Sequence, residues 1–399
     1  MYLDKIKKAK RNIEDIVMKT PLLYSEVFSK GCQNEVFMKC ENLQLTGAYK
    51  IRGALNKIRS LTEEEKNKGV VCSSAGNHAQ GVAYASSLAN VKATIVMPET
   101  TPLLKIQSTK DFGGNIVLAG EVYDDAYKEA KRIEKEQGVT FLHPFNDIDV
   151  ICGQGTVGLE ILEDLPNVDI ILCPIGGGGL ISGISIAAKS INSNIKIIGV
   201  QAAGANAMEQ SFKKGHLINI DKVDTIADGI AVKQPGNLTY EIIKDYVDDI
   251  VTVTDNEIVE AFFTLSEKHK LLAEASGVVS LAALKKLNEK NKKVVSVISG
   301  GNIDMVTISS LIDSALVSKG RLVCFSMELI DKPGEAVKVA QVFSSVNANI
   351  VELYHNRFKA KDKLKNVVLD VTVETNGHSH IQSIKEALIN HGYNIIQVY

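Results

Sequence analysis

Four stretches of this 399-residue sequence carry residue types that could do chemistry together. In "QLTGAYKIRGALNKI" (44–58), Lys50 sits between Tyr49 and Arg52, with Gly47 and Gly53 close by. A lysine packed among small residues has a lowered pKa and becomes a nucleophile. Alone, the stretch reads more simply as a helix start with Lys50 and Arg52 as surface charges. "CPIGGGGLISG" ends a strand at Pro174, exposes the backbone of Gly176, Gly177, Gly178 and Gly179, and opens a helix at Leu180. Bare backbone at a helix N-terminus is a phosphate site. It is not the dinucleotide fingerprint, because Ser182 stands where a third glycine belongs, and no Lys-Ser/Thr pair makes it a P-loop. "SSAGNHAQG" (73–81) either caps the next helix through Ser74 or Asn77 or holds a carboxylate or ring oxygen. "SGGN" (299–302) is a further polar loop, weak by itself.

The elements around these stretches place the three glycine- or serine-rich ones at strand ends. Residues 1 to about 315 alternate short apolar strands ("GVVCSSAGN", "KATIVMPE", "GGNIVLAG", "DIILCPIGGGG", "IKIIGVQA", "KVVSVISGGN") with amphipathic helices. That alternation predicts an α/β architecture with parallel sheet, in which ligands bind at the carboxyl ends of strands. Near Gly320 the pattern changes to strand, helix, strand, strand, helix, strand. This βαββαβ order is that of the ferredoxin-like unit. The expected domains are 1–315, with a smaller lobe at about 46–148, then a linker at 316–322 within or beside "DSALVSKG", and 323–399.

Bulk composition narrows the function classes. Lys+Arg 45 against Asp+Glu 47 gives a net charge of −2, with no footprint for nucleic acid. The six cysteines show no CxxC spacing, which argues against zinc and against a secreted disulfide framework. "MYLDKIKKAKRNIEDIV" reads as a charged amphipathic helix without the apolar core of a signal peptide. The longest apolar run is broken by Pro174 and the glycines, so no membrane span is expected. The expectation is a soluble, cytoplasmic enzyme. His378 and His380 in "NGHSHI" read as a solvated turn rather than a metal site.

A nucleophilic lysine, a glycine cradle for phosphate and two polar strand-end loops are what pyridoxal 5′-phosphate requires. "TGAYKIRGA", "SSAGNHAQG", "GGGGL", "TIADGIAV" (225–232) and "SGGN", in that order, resemble the motifs of the fold type II pyridoxal-phosphate enzymes. The resemblance is greatest to the threonine (serine) ammonia-lyases, or threonine dehydratases, and covers residues 5 to 315. It implies a tryptophan-synthase-beta-like, two-lobed parallel-sheet domain. By this resemblance Lys50 forms the Schiff base and removes the Cα proton. Tyr49 stands beside the ring where phenylalanine is usual, and Ala48 replaces a common serine. Asn77 would bond the cofactor's 3′-oxygen. Ser74, Ala75, Gly76, Asn77 and His78 would line the substrate carboxylate site, and Gly176 to Gly179 with Leu180 would hold the phosphate. Ser299 would face the ring nitrogen, favouring loss of the β-hydroxyl over reprotonation.

The implied reaction turns L-threonine, and L-serine, into a 2-oxo acid and ammonia. The alternatives are a β-replacement enzyme of the cysteine or threonine synthase kind, or a serine dehydratase or racemase. Ala75 stands where racemases of the family carry serine. Gln201 and Ala207 stand where relatives with a divalent cation carry acidic residues, so no metal is expected. The C-terminal unit resembles an ACT domain. In it "DKPG" (Asp331, Pro333, Gly334) and "NANIVEL" (Asn347, Asn349, Ile350) would face an amino-acid effector, with isoleucine or valine the first guess. Family members are usually homodimers or homotetramers.

Overall fold

Runs that are apolar on both faces, such as Ile170–Pro174 and Lys196–Ala202, form strands buried from both sides, as expected of parallel sheet covered by helices. The computed structural model describes residues 2–399, and the chain divides after Ile303 into two units. The first unit holds two sheets. Strands β1 (Leu22–Tyr24), β2 (Glu35–Cys40), β7 (Ile170–Pro174), β8 (Lys196–Ala202), β9 (Asp249–Val253) and β10 (Lys293–Ile298) form the larger, in the order β1-β2-β10-β7-β8-β9. Only β1 runs antiparallel to its neighbour. Strands β3 (Val70–Ser73), β4 (Ala93–Met97), β5 (Asn115–Leu118) and β6 (Thr140–Phe141) form the smaller sheet, ordered β5-β4-β3-β6 and wholly parallel. It falls inside the stretch expected to be the smaller lobe.

Three helices cross at glycines, and these crossings bring distant motifs together. Helix Ile148–Asp164 meets helix Lys50–Ser60 where a Cβ on Gly153 would lie 2.3 Å from the Arg52 carbonyl. It meets helix Gly179–Ile191 where a Cβ on Gly183 would lie 2.4 Å from the Ile151 carbonyl. Backbones this close exclude any side chain, so the lysine helix and the glycine-loop helix pack against one common partner.

Arg52, read above as a surface charge, is 1% exposed. Its guanidinium forks onto Glu41 at 2.7 and 2.8 Å and reaches Glu160 at 2.6 and 2.9 Å. Lys39 completes the cluster at 2.6 Å from Glu160, so two cations balance two carboxylates away from water. The isolated motif gave no sign of this, because both carboxylate partners come from other elements. Replacing Arg52 with methionine leaves one cation for two buried carboxylates. We expect the variant to lose about 3–5 kcal/mol of stability in urea unfolding.

In the second unit β11 (Leu322–Ile330), β12 (Asn349–Asn356), β13 (Asn366–Glu374) and β14 (Ile395–Gln397) form an antiparallel sheet ordered β12-β13-β11-β14. Helices Glu335–Ser345 and His378–Asn390 supply Phe343 and Ile384 to a core with Val323, Phe325 and Val371. The βαββαβ order is therefore present. Three details differ from expectation. The stretch expected to connect the domains is largely helical: Asp304 caps a helix Met305–Ser318 by accepting from the Thr307 N–H at 2.9 Å. The expected boundary at residue 315 thus falls inside a helix of the second unit. His378 and His380 open a helix rather than a turn, because His380 spans from the Asn376 N–H at 3.0 Å to the Val346 carbonyl at 2.7 Å.

The third difference concerns the six residues expected at an effector site. Asp331, Pro333 and Gly334 precede helix Glu335–Ser345, whereas Asn347, Asn349 and Ile350 follow it. Eleven helical residues span about 16 Å, so one copy does not gather the six around one small molecule. Asp331 is engaged by Arg357, and Asn349 by Glu374 at 2.9 Å.

Candidate active site

The polar stretches meet at the carboxyl ends of β2, β3, β7 and β10. Lys50 is the first residue of its helix, and its Nζ donates to the Pro144 carbonyl at 2.9 Å. The backbone N–H of Tyr49 donates to the Ser299 carbonyl at 3.2 Å, and Ala48 bridges to Gly300. Asn302 is the hub of this meeting. Its Nδ2 donates to the Thr46 carbonyl at 2.7 Å and to Asn77 Oδ1 at 2.7 Å, and lies 3.0 Å from Gln80 Oε1. Ser74, Ala75, Gly76 and Asn77 are partly exposed along the loop and helix start that follow β3. Ser299 is buried, with its hydroxyl 3.5 Å from the Ser276 carbonyl.

Two groups escaped the sequence reading. The first is the loop His143–Asn146 after β6. Besides holding Lys50 through Pro144, it lays the Phe145 ring against the glycine loop, where a Cβ on Gly177 would lie 2.2 Å from the ring. The available signal was positional: this loop also follows a strand of the smaller sheet. The second is Glu274, whose Oε1 accepts from Asn77 Nδ2 at 2.6 Å. With Asn302 donating to the other end, the Asn77 amide has one orientation and one N–H left to give.

Burial dominates the electrostatics. It lowers the Lys50 pKa to about 8, with Glu274 pulling weakly the other way. Burial also raises Glu274 to about 7, helped by the charge of Asp228 and opposed by the bond from Asn77. His78 falls to about 3 and His143 to about 4, each through burial first and the Lys50 charge second. Both imidazoles are therefore neutral at pH 7. His78 Nε2 donates to the Leu142 carbonyl at 3.0 Å, so its ring ties down the loop and presents no charge to a carboxylate. Burial also pushes the Tyr49 phenol up, keeping its proton in place. Gln201, which stands at the expected cation position, spends its carboxamide on the Ile175 carbonyl at 3.3 Å and the Glu209 N–H at 2.8 Å.

Comparison with known proteins agrees with this arrangement. A family model described as "Pyridoxal-phosphate dependent enzyme" matches residues 13–300. The chain belongs to the pyridoxal-phosphate dependent enzymes. Over 394 residues, 98% of each chain, this enzyme is 45% identical to an "L-threonine ammonia-lyase" of Thermotoga maritima. Among solved structures it resembles processed threonine deaminase isoform 2 of Solanum lycopersicum, at TM-score 0.76 and 36% identity over 79% of this chain and 88% of that one. It also resembles maize serine racemase, at TM-score 0.75 and 38% identity over 79% of this chain and 98% of that one.

The enzyme's own residues fit the cofactor. Gly178, at φ +96°, takes a backbone conformation that disfavours side chains, and the Phe145 ring closes on Gly177. The first N–H groups of helix Gly179–Ile191 have no partner within the helix, so backbone donors face the place where a phosphate would lie. Lys50 supplies an amine of lowered pKa, Asn77 an oriented N–H, and Ser299 a neutral hydroxyl. Glu274 gives this set a pH dependence. Below about 7 its carboxyl is neutral and above it charged, so the Asn77 amide feels a different field on either side. We expect the absorbance of the bound cofactor to step near pH 7, and the step to vanish in Glu274→Gln. A step of equal size in that variant would assign the titration elsewhere.

Proposed function

We propose that this chain is an ammonia-lyase that converts L-threonine, and also L-serine, to the 2-oxo acid and ammonia. The correspondence with an L-threonine ammonia-lyase along 98% of both chains carries the reading, because it includes the second unit as well as the catalytic one. Pyridoxal phosphate, when bound, supplies an electron-withdrawing ring that stabilises negative charge at the substrate Cα. The chain's residues do the rest. Lys50 Nζ takes the Cα proton, and its pKa of about 8 places it near neutrality for that task. The backbone of Ser74 to His78 receives the substrate carboxylate, and Asn77, held by Glu274 and Asn302, orients the ring. Gly176 to Leu180 anchor the phosphate. Ser299 offers a hydroxyl in place of a carboxylate.

Ala75 argues against racemisation, since a methyl group cannot return a proton from the opposite face. The test is steady-state 2-oxo acid formation from L-threonine and L-serine, with D-serine assayed in parallel. No 2-oxo acid from either L-amino acid overturns the reading, and D-serine as the main product replaces it with racemisation.

The second unit is proposed as an ACT domain that lets isoleucine or valine adjust the rate. Its support is the βαββαβ order and the open turn at Gly334, where a Cβ would meet nothing within 4 Å. Rates unchanged by both amino acids would leave it an assembly module. Among the described residues no helix is long and apolar enough to cross a membrane. All six cysteines are unpaired and buried, which supports a reducing, cytoplasmic setting. A homodimer or homotetramer is proposed by family likeness, and light scattering measures it.

A further inference from the structure

Helix Ile148–Asp164 places one polar side chain, Gln154, between the two glycines at which it crosses its neighbours, Gly153 and Gly155. Gln154 is 0% exposed, and neither Oε1 nor Nε2 has a hydrogen-bond partner among the described residues. A fully buried carboxamide with both ends unmatched carries the full desolvation penalty of each end. Its position is closely determined. A Cβ on Gly53, one turn into the Lys50 helix, would lie 3.1 Å from Gln154 Cγ, and a Cβ on Gly179 would lie 2.6 Å from Gln154 Oε1. The carboxamide therefore ends beside the first residue of the helix that follows the glycine loop, on the flank facing the Lys50 helix.

We propose that Gln154 is a side-chain ligand for the cofactor's phosphate, supplementing the backbone N–H groups of the glycine loop. The inference rests on the family assignment and adds a residue to it. A phosphate offers acceptor oxygens, which match the Nε2 donor. With neither end engaged, nothing in the protein fixes which way the carboxamide turns, so Nε2 is free to face the glycine loop. A bound phosphate thus gives an acceptor to Nε2, the donor end of a side chain that the protein itself leaves unsatisfied. Gln154 also belongs to the helix that joins the lysine helix to the glycine-loop helix, so it relates the phosphate position to that of Lys50.

The test measures dissociation constants of full-length apoprotein for pyridoxal 5′-phosphate and for pyridoxal, which lacks the phosphate. Wild type, Gln154→Met and Gln154→Glu are compared. Methionine keeps the length and volume of the side chain without its hydrogen bonds, and glutamate adds a negative charge. We expect Gln154→Met to weaken pyridoxal phosphate binding by about 10- to 100-fold, the effect of one hydrogen bond to a charged group. Gln154→Glu should weaken it further, and pyridoxal binding should stay within about threefold of wild type in both. Inorganic phosphate should protect wild-type apoprotein against thermal unfolding more than it protects Gln154→Met. The melting temperature of the Gln154→Met apoprotein should not fall, because an apolar side chain removes two unmatched buried groups. Equal weakening for both ligands, or no change for either, overturns the proposal and assigns the carboxamide to packing or to a buried water. Failure of wild type to bind pyridoxal phosphate would instead remove the family reading itself.

Discussion

With alanine in place of Lys50, kcat/KM for 2-oxo acid formation is expected to fall by about 10⁴-fold or more, while the protein stays folded. On the proposed reading the side chain is needed twice, as the amine that captures the cofactor and as the base at Cα, so both roles are lost at once. Stability should change little, because Lys50 Nζ contributes one bond, to the Pro144 carbonyl, and burial opposes its charged form. The variant should also lack a chromophore that borohydride bleaches. In wild type, the pKa near 8 sets the pH dependence of capture. Only the neutral amine attacks, so the rate of colour development on adding pyridoxal phosphate to apoprotein should rise with pH and level off above about 8. A rate still climbing steeply at pH 10, as for a solvated lysine, would contradict the burial argument.

Gly177→Ala is expected to weaken cofactor binding by about 10²-fold, the scale of a one-ångström misplacement in a site. The added Cβ would lie 2.2 Å from Phe145 Cδ1, so the ring or the loop must move. The ring belongs to the loop whose Pro144 carbonyl holds Lys50, so the displacement would reach the amine as well. A second substitution, Phe145→Ala, removes the clash, and the double variant should recover part of the affinity. Recovery separates a steric cause from a loss of backbone freedom. Gly178→Ala should show none, because its φ of +96° is strained for any side chain.

How far the site could be read in advance depended on whether a residue's partner was local. The strand-end loops were legible because parallel sheet requires them, and the glycine run marks a close approach by its composition alone. Lys50, Asn77 and Ser299 were placed by motif order, and the hydrogen bonds through Asn302 show why those loops converge. Glu274 was not legible. It stands in "LLAEASGVVS", which has no strong periodicity, and its partner Asn77 lies 197 positions away. Arg52 was misread because its neutralising carboxylates, Glu41 and Glu160, belong to other elements. The candidate effector residues were grouped by motif, and an intervening helix of eleven residues separated them. The helix at 305–318 was not legible because it ends only two residues before Gly320, where the pattern changes.

The pairing of β2 with β10 has a consequence for how the enzyme is made. The smaller sheet draws its strands from residues 70–141, so it can assemble as soon as that stretch has left the ribosome. In the larger sheet β10 lies between β2 and β7, which leaves a gap beside β2 until residue 298 has been synthesised. Non-local pairings of this kind form late and slowly. Lys50 follows one of these two strands and Ser299 the other, so the loops proposed to flank the cofactor meet only when the early and late parts of the chain close on each other. Cofactor capture then reports the last long-range step in building the catalytic unit, and a chain stalled before β10 would hold a finished small lobe beside an unfinished site.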